Sequence, residues 1–152
     1  MSQHLDWADF SETDFAYAAG FFDGEGSISV CRMTEKLPKW KRAQHRIRAT
    51  IGSSDLCALD LYQKFPGSHI SKFLSTYSRV GGYVVYFCGV DAQNFLQKIY
   101  RYLKVKRKQA ELAFEFPIIT KNKNRPISDD CWEKREKIYH RLRLLNKKGL
   151  RC

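Results

Sequence analysis

A chain of 152 residues, 43% apolar and 28% charged, is long enough to bury one core and too apolar to be disordered throughout. No apolar run approaches ~18 residues, which excludes a membrane-spanning helix. The net charge of +11 is unevenly spread: residues 1–26 hold six acids and no Lys or Arg, residues 27–90 ten bases against three acids, and residues 91–152 seventeen against seven. Such a surface attracts polyanions, nucleic acid before anionic membrane.

In chain order, Ser11 followed by Asp14 is an acidic variant of the capping box. It predicts a helix over residues 12–23, ended by Gly24 and Gly26. Ala16, Ala19 and Gly20 recur along it at helical spacing, a stripe on which two backbones can approach closely. The period then changes to two. "SISVCRM" sends Ile28 and Val30 to one face, and "QHRIRATI" sends Ile47, Ala49 and Ile51 to one face against Gln44, Arg46, Arg48 and Thr50. A short helix follows the cap-like Ser53–Ser54–Asp55 and stops at Pro66–Gly67; two strands then meet at a turn near residues 80–82. Asp91 is the expected N-cap of the next helix, "KRKQAELAFEF" gives another before Pro117, and residues 120–126 form a basic linker. The last helix is capped by Ser128, closed by Gly149, and buries a stripe of Trp132, Ile138, Leu142 and Leu145.

Hairpin pairs of strands with helices between them predict an α+β fold, an antiparallel sheet with helices gathered on one face. A single domain over residues 1–152 is expected, with its core at about 11–116 and a basic helical extension at 117–152. Five scattered cysteines, Cys31, Cys57, Cys88, Cys131 and Cys152, contain no C-x-x-C pair and read as reduced thiols. The acidic N-terminus is unlike a secretory signal, so an intracellular location, cytoplasmic or organellar, is expected.

Two acids, Asp23 and Glu25, stand in the glycine-punctuated run "AAGFFDGEGSI" with no base nearby. A cationic chain that keeps a purely acidic island there has a use for the carboxylates. The run resembles the LAGLIDADG homing endonucleases in their Leu-Ala-Gly-Phe-x-Asp-Gly-Asp/Glu-Gly-Ser form, departing at Ala18, where Leu is usual. "YLKVKRKQAELA", Tyr102 to Ala113, is similar to that family's Leu-Lys-x-Lys-x-Lys-Gln run. The resemblance implies an α-β-β-α-β-β-α core with a twisted antiparallel sheet that forms a DNA-binding saddle, and a homodimer, because one motif supplies half a site. It implies a dimer interface through Ala16, Ala19, Gly20 and Asp23, and a metal held by Glu25 and the Gly24 carbonyl. Mg²⁺ is the expected cofactor, with Mn²⁺ substituting and Ca²⁺ supporting binding without cleavage. Lys106 matches the lysine that the family keeps near the scissile phosphate. The position where a water-organising Gln is common falls on Ser53, and a basic residue of the following helix is replaced near Cys57.

The implied activity is metal-dependent double-strand cleavage at a long, near-palindromic DNA target, as in intron homing. Residues expected to meet double-stranded DNA are Ser29, Cys31, Met33, Gln44, Arg46, Arg48 and Thr50 from the first hairpin and His69, Ser71, Lys72, Tyr83 and Val85 from the second. Lys39, Lys41, Arg42 and Lys108 are expected at phosphates. No membrane partner is expected. Two alternatives share the fold: a cleavage-inactive DNA-binding regulator, and a maturase whose partner is intron RNA.

Overall fold

The computed structural model describes residues 5–34, 42–73, 81–119 and 127–147. Lys39, Lys41, residue 80 of the turn expected near 80–82, the linker at 120–126 and Gly149 lie outside the described residues, while Gly82 opens the last strand. A 3₁₀ turn, Trp7–Asp9, precedes α1, Glu12–Glu25. The capping box forms as read: the Ser11 hydroxyl accepts from the Asp14 N–H, and the Asp14 carboxylate accepts from the Ser11 N–H. The helix runs to Glu25 rather than to residue 23, and Gly26 leaves it directly into β1, Gly26–Met33. A Cβ at Gly26 would come within 2.3 Å of the Phe22 ring, so the helix-to-strand corner needs a glycine for close packing.

β2 is Gln44–Ser53, and a 3₁₀ turn, Leu56–Leu59, leads into α2, Asp60–Lys64. Then come β3, His69–Phe73; β4, Gly82–Cys88; α3, Val90–Ile99; α4, Arg107–Glu115; and α5, Asp129–Asn146. The α+β architecture is as the alternation implies. Four antiparallel strands lie in the order β1-β2-β4-β3, with each hairpin paired within itself and β2 joined to β4 in the centre.

One sheet face, from Ile28, Val30, Ile47, Ala49, Ile51, Val85 and Phe87, packs under Ala18, Ala19 and Phe22 of α1 and Phe95, Leu96 and Ile99 of α3. Phe87 and Phe95 stack at 4.2 Å between ring centroids. The buried Tyr62 hydroxyl donates to the Ala18 carbonyl at 2.6 Å, fastening α2 to α1, and burial pushes its pKa up. α3 is capped by Gly89 rather than by Asp91, which sits in its first turn. The chain leaves β4 through φ +58°, a left-handed conformation that glycine adopts without steric cost. Ser128 caps α5 by accepting from the Cys131 N–H. Of the stripe expected on that helix, Ile138 and Leu142 are fully buried, while Trp132 and Leu145 are half-buried. Among the described residues no helix is long and apolar enough to cross a membrane.

Candidate functional site

Glu25 is the last residue of α1, and both it and Gly24 are exposed. A helix ends with carbonyls that lack intrahelical partners and with a partial negative charge. This one also ends with two acids and no base in its last turn. The two acids have different surroundings. Asp23 Oδ2 accepts from the Lys104 N–H at 2.7 Å and the Val105 N–H at 3.2 Å, and Oδ1 accepts from the Lys106 N–H at 3.0 Å. The Lys106 ammonium donates to the Asp23 carbonyl. Asp23, expected at a dimer interface, joins the end of α1 to the approach to α4 within the chain. Lys106 is buried at that junction, so the structure brings it to the end of the helix that carries Glu25.

No described side chain pairs with the Glu25 carboxylate. Its carboxylate oxygens and the neighbouring Gly24 carbonyl are hard donors, the kind Mg²⁺ takes while keeping several waters. No cluster of three His, Cys, Asp or Glu residues that could close a metal site exists among the described residues. The Glu25 carboxylate and the Gly24 carbonyl would suit a divalent ion that keeps waters of its own. Ser53, the last residue of β2, lies at the same end of the sheet: Gly26 pairs with Ile51, and β2 continues two residues past that rung. The Ser53 hydroxyl accepts from the Asp55 N–H at 3.0 Å, and Asp55 in turn accepts from the Cys57 N–H, so this serine belongs to a turn.

The opposite sheet face is polar and cationic. Ser29, Cys31 and Met33 of β1 and Gln44, Arg46, Arg48 and Thr50 of β2 all stand on it, as the alternation implies. The second hairpin corrects the reading. Val85 is fully buried, and register pairs it with the core residue Ile51. Tyr83 and Lys72, paired with each other, lie on that same side. The open face is lined instead by Val84, Tyr86 and Cys88, with His69 and Ser71 beside them as expected. The run Tyr83–Cys88 is apolar in both phases, so a period of two cannot say which phase is inside; only its pairing with β2 does.

Tyr86 organises this part of the face. Arg48 lies over its ring at 4.0 Å and His69 stacks on it at 5.3 Å. The Cys88 thiol is pushed up in pKa by burial, against the opposing pull of Arg48 and Arg46. Arg42 pairs with Asp129 at 2.6 Å and lies over the Trp132 ring, which ties it to α5. Lys108 is exposed on α4. On α1, Ala16 and Gly20 are exposed, but Ala19 is fully buried against the core and cannot join a surface stripe. Gly24 takes its place in that stripe, four residues beyond Gly20, and a Cβ at either glycine would meet open space.

A scan of protein-family models and a search of curated proteins return no match. Solved structures do match. The homing endonuclease I-CvuI, in complex with its target in the presence of calcium, aligns over 93% of this chain and 87% of its own with a TM-score of 0.68 at 21% identity. The same enzyme, with the I-CreI target and magnesium and its DNA not cleaved, aligns over 86% and 95% with a TM-score of 0.58 at 21% identity. The LAGLIDADG homing endonuclease I-GzeII, in complex with a DNA target, aligns over 90% of this chain but 45% of its own, with a TM-score of 0.60 at 16% identity. Sheet order, the helices on one face and the motif at the end of α1 give one conclusion: this chain has the LAGLIDADG homing endonuclease fold.

Proposed function

We propose that this chain is a homodimeric, metal-dependent endonuclease that cuts double-stranded DNA at a long, near-palindromic site. The observation that carries the reading is the Glu25 carboxylate: it stands exposed and unpaired by any described side chain on a protein of net charge +11, beside a sheet face rich in arginine. A carboxylate with a merely structural role on so cationic a chain gains by pairing with a base. Glu25 and the Gly24 carbonyl would hold the ion; Mg²⁺ suits them, and Mn²⁺ is expected to substitute. When bound, a divalent ion acidifies a water and offsets charge on the phosphate.

The chain supplies the remainder. Asp23 fixes the backbone of Lys104–Lys106, and this holds Lys106 at the helix end, where its cation can stabilise charge that develops on a phosphate. The open face, with Gln44, Arg46 and Arg48, faces base edges in the major groove. Each protomer offers one Glu25, so cutting two strands calls for two copies; the exposed Ala16, Gly20 and Gly24 stripe supports a close helix pair.

The test is selection of cleaved sequences from randomised duplex DNA, in Mg²⁺ and in Ca²⁺, with wild type and Glu25→Gln. Wild type is expected to cut at a near-palindromic site in Mg²⁺ and to bind without cutting in Ca²⁺. Glu25→Gln is expected to bind the same site and lose at least about a thousandfold in cleavage, since metal stabilisation amounts to several kcal/mol. Equal cleavage by the variant sinks the role of Glu25. Specific binding with no cutting in any ion identifies a DNA-binding regulator, and selection of structured RNA alone identifies a maturase.

A further inference from the structure

The C-terminal helix meets the sheet through one carboxylate. Glu136 of α5 accepts from Arg32 Nε at 2.7 Å and lies 2.6 Å from His45 Nε2, both at its Oε1, while its Oε2 is 3.3 Å from His140 Nε2. Arg32 and His45 are cross-strand partners, so a single oxygen ties β1 and β2 together at one rung. The His45 side chain is wholly buried and its Nδ1 has no partner among the described residues. A carboxylate only accepts, so Nε2 carries the proton and Nδ1 is left as a lone pair, which is less costly to bury than an unmatched N–H. The junction is fastened on either side: Trp132 Nε1 donates to the Ala43 carbonyl at 2.9 Å and Asn146 Nδ2 to the Ile28 carbonyl at 2.8 Å.

Burial of Ile138 and Leu142 already gives α5 an apolar anchor on the protein. What the carboxylate adds is direction, and it adds it at a particular place. The clamped rung is flanked by the pairs Cys31–Arg46 and Met33–Gln44, whose side chains, one residue out of phase, stand on the open face. We propose that Glu136 is a positioning residue for sequence discrimination: it fixes the outer end of the β1–β2 hairpin from behind, so that Gln44 and Arg46 meet base edges in one register. This rests on the reading of the open face as the DNA-contacting face, and it gives the C-terminal extension a task in specificity without any contact to DNA.

The test uses the full chain in Ca²⁺, with affinities measured for a site library substituted one base pair at a time. Glu136→Ala is expected to lose about tenfold in discrimination at the base pairs under the outer rung, the scale of a lost bidentate contact. Non-specific affinity and its salt slope, set by phosphate contacts, are expected to change by less than about twofold. Glu136→Gln keeps an acceptor oxygen and is expected to restore most of the discrimination. Arg32→Met, which removes one arm and leaves His45 in place, is expected to fall between them. Loss of specific and non-specific affinity in equal proportion, or an unchanged profile, overturns the proposal. Amide exchange on the DNA-free protein tests the clamp separately: in Glu136→Ala, exchange should speed up at the rungs around Arg32–His45 and stay slow where β2 pairs with β4. Uniform acceleration overturns the clamp. A wild-type chain with no sequence preference overturns the proposed function and the specificity role with it, while the exchange result still decides whether Glu136 holds the hairpin.

Discussion

Two carboxylates two residues apart are expected to differ in what they contribute to stability, and this is where the site can be tested without DNA. Asp23 accepts three backbone N–H groups, so its removal leaves donors at residues 104–106 without an acceptor. Hydrogen bonds to a charged group each contribute about 1.5–3 kcal/mol, less where water can replace the partner. Asp23→Ala is therefore expected to lower unfolding free energy by about 1–3 kcal/mol in urea titrations with an unchanged slope. Glu25→Gln disturbs no described pairing and is expected to stay within about 0.5 kcal/mol of wild type. A large loss at Glu25 would mean that it has a structural partner and would weaken the metal reading. The motif made both acids visible in sequence, but not this division. Asp23 is tied to a segment some eighty residues away, and nothing local to "FDGEG" signals which acid the fold will occupy.

At the level of elements, the packing of α5 on the β1–β2 hairpin makes stability depend on pH in a definite direction. Burial lowers the pKa of His45 below the ordinary histidine value of 6.5, despite the pull of Glu136 in the other direction. Burial alone would raise Glu136, but hydrogen bonds from Arg32 and His45 outweigh it and hold that carboxyl below its ordinary 4.5. For His45 the unfolded chain takes up a proton first as pH falls through 6.5, so stability declines from there towards the lower folded pKa. For Glu136 the stabilisation is complete above 4.5 and is lost as pH falls through its depressed value. Both act in the same sense. Unfolding free energy is expected to fall between pH 7 and pH 5.5, and His45→Gln should flatten that interval; an unchanged slope in the variant would assign it to other groups. Sequence showed the strands here but not the clamp. Alternation in "QHRIRATI" put Ile47, Ala49 and Ile51 inside, and the same phase carries His45 inward with them, yet a histidine at a strand end is as easily exposed. The second hairpin was legible as two strands and illegible in phase, because Tyr83–Cys88 is apolar on both sides and only β2 decides which side is buried.

For the whole molecule, the question is what covers α1. Its exposed stripe runs through Thr13, Ala16, Tyr17, Gly20 and Gly24, while Ala18, Ala19 and Phe22 are spent on the core. Two glycines on one exposed helical face weaken that helix by about 0.5–1 kcal/mol each relative to alanine, a cost with no return inside the protomer. Close approach of a second backbone is the return that a dimer would give. Space around Gly20 makes the test clean, because a side chain added there meets nothing within 4 Å in the protomer. Gly20→Ala is expected to raise protomer stability by about 0.5–1 kcal/mol and to weaken self-association, two effects of opposite sign from one methyl group. Gly20→Leu should leave a folded monomer in sedimentation equilibrium and lose the proposed double-strand cleavage, which calls for one Glu25 per strand. A Gly20→Leu protein that still dimerises would move the interface off α1, and with it the claim that the two Glu25 carboxylates are brought together by that helix.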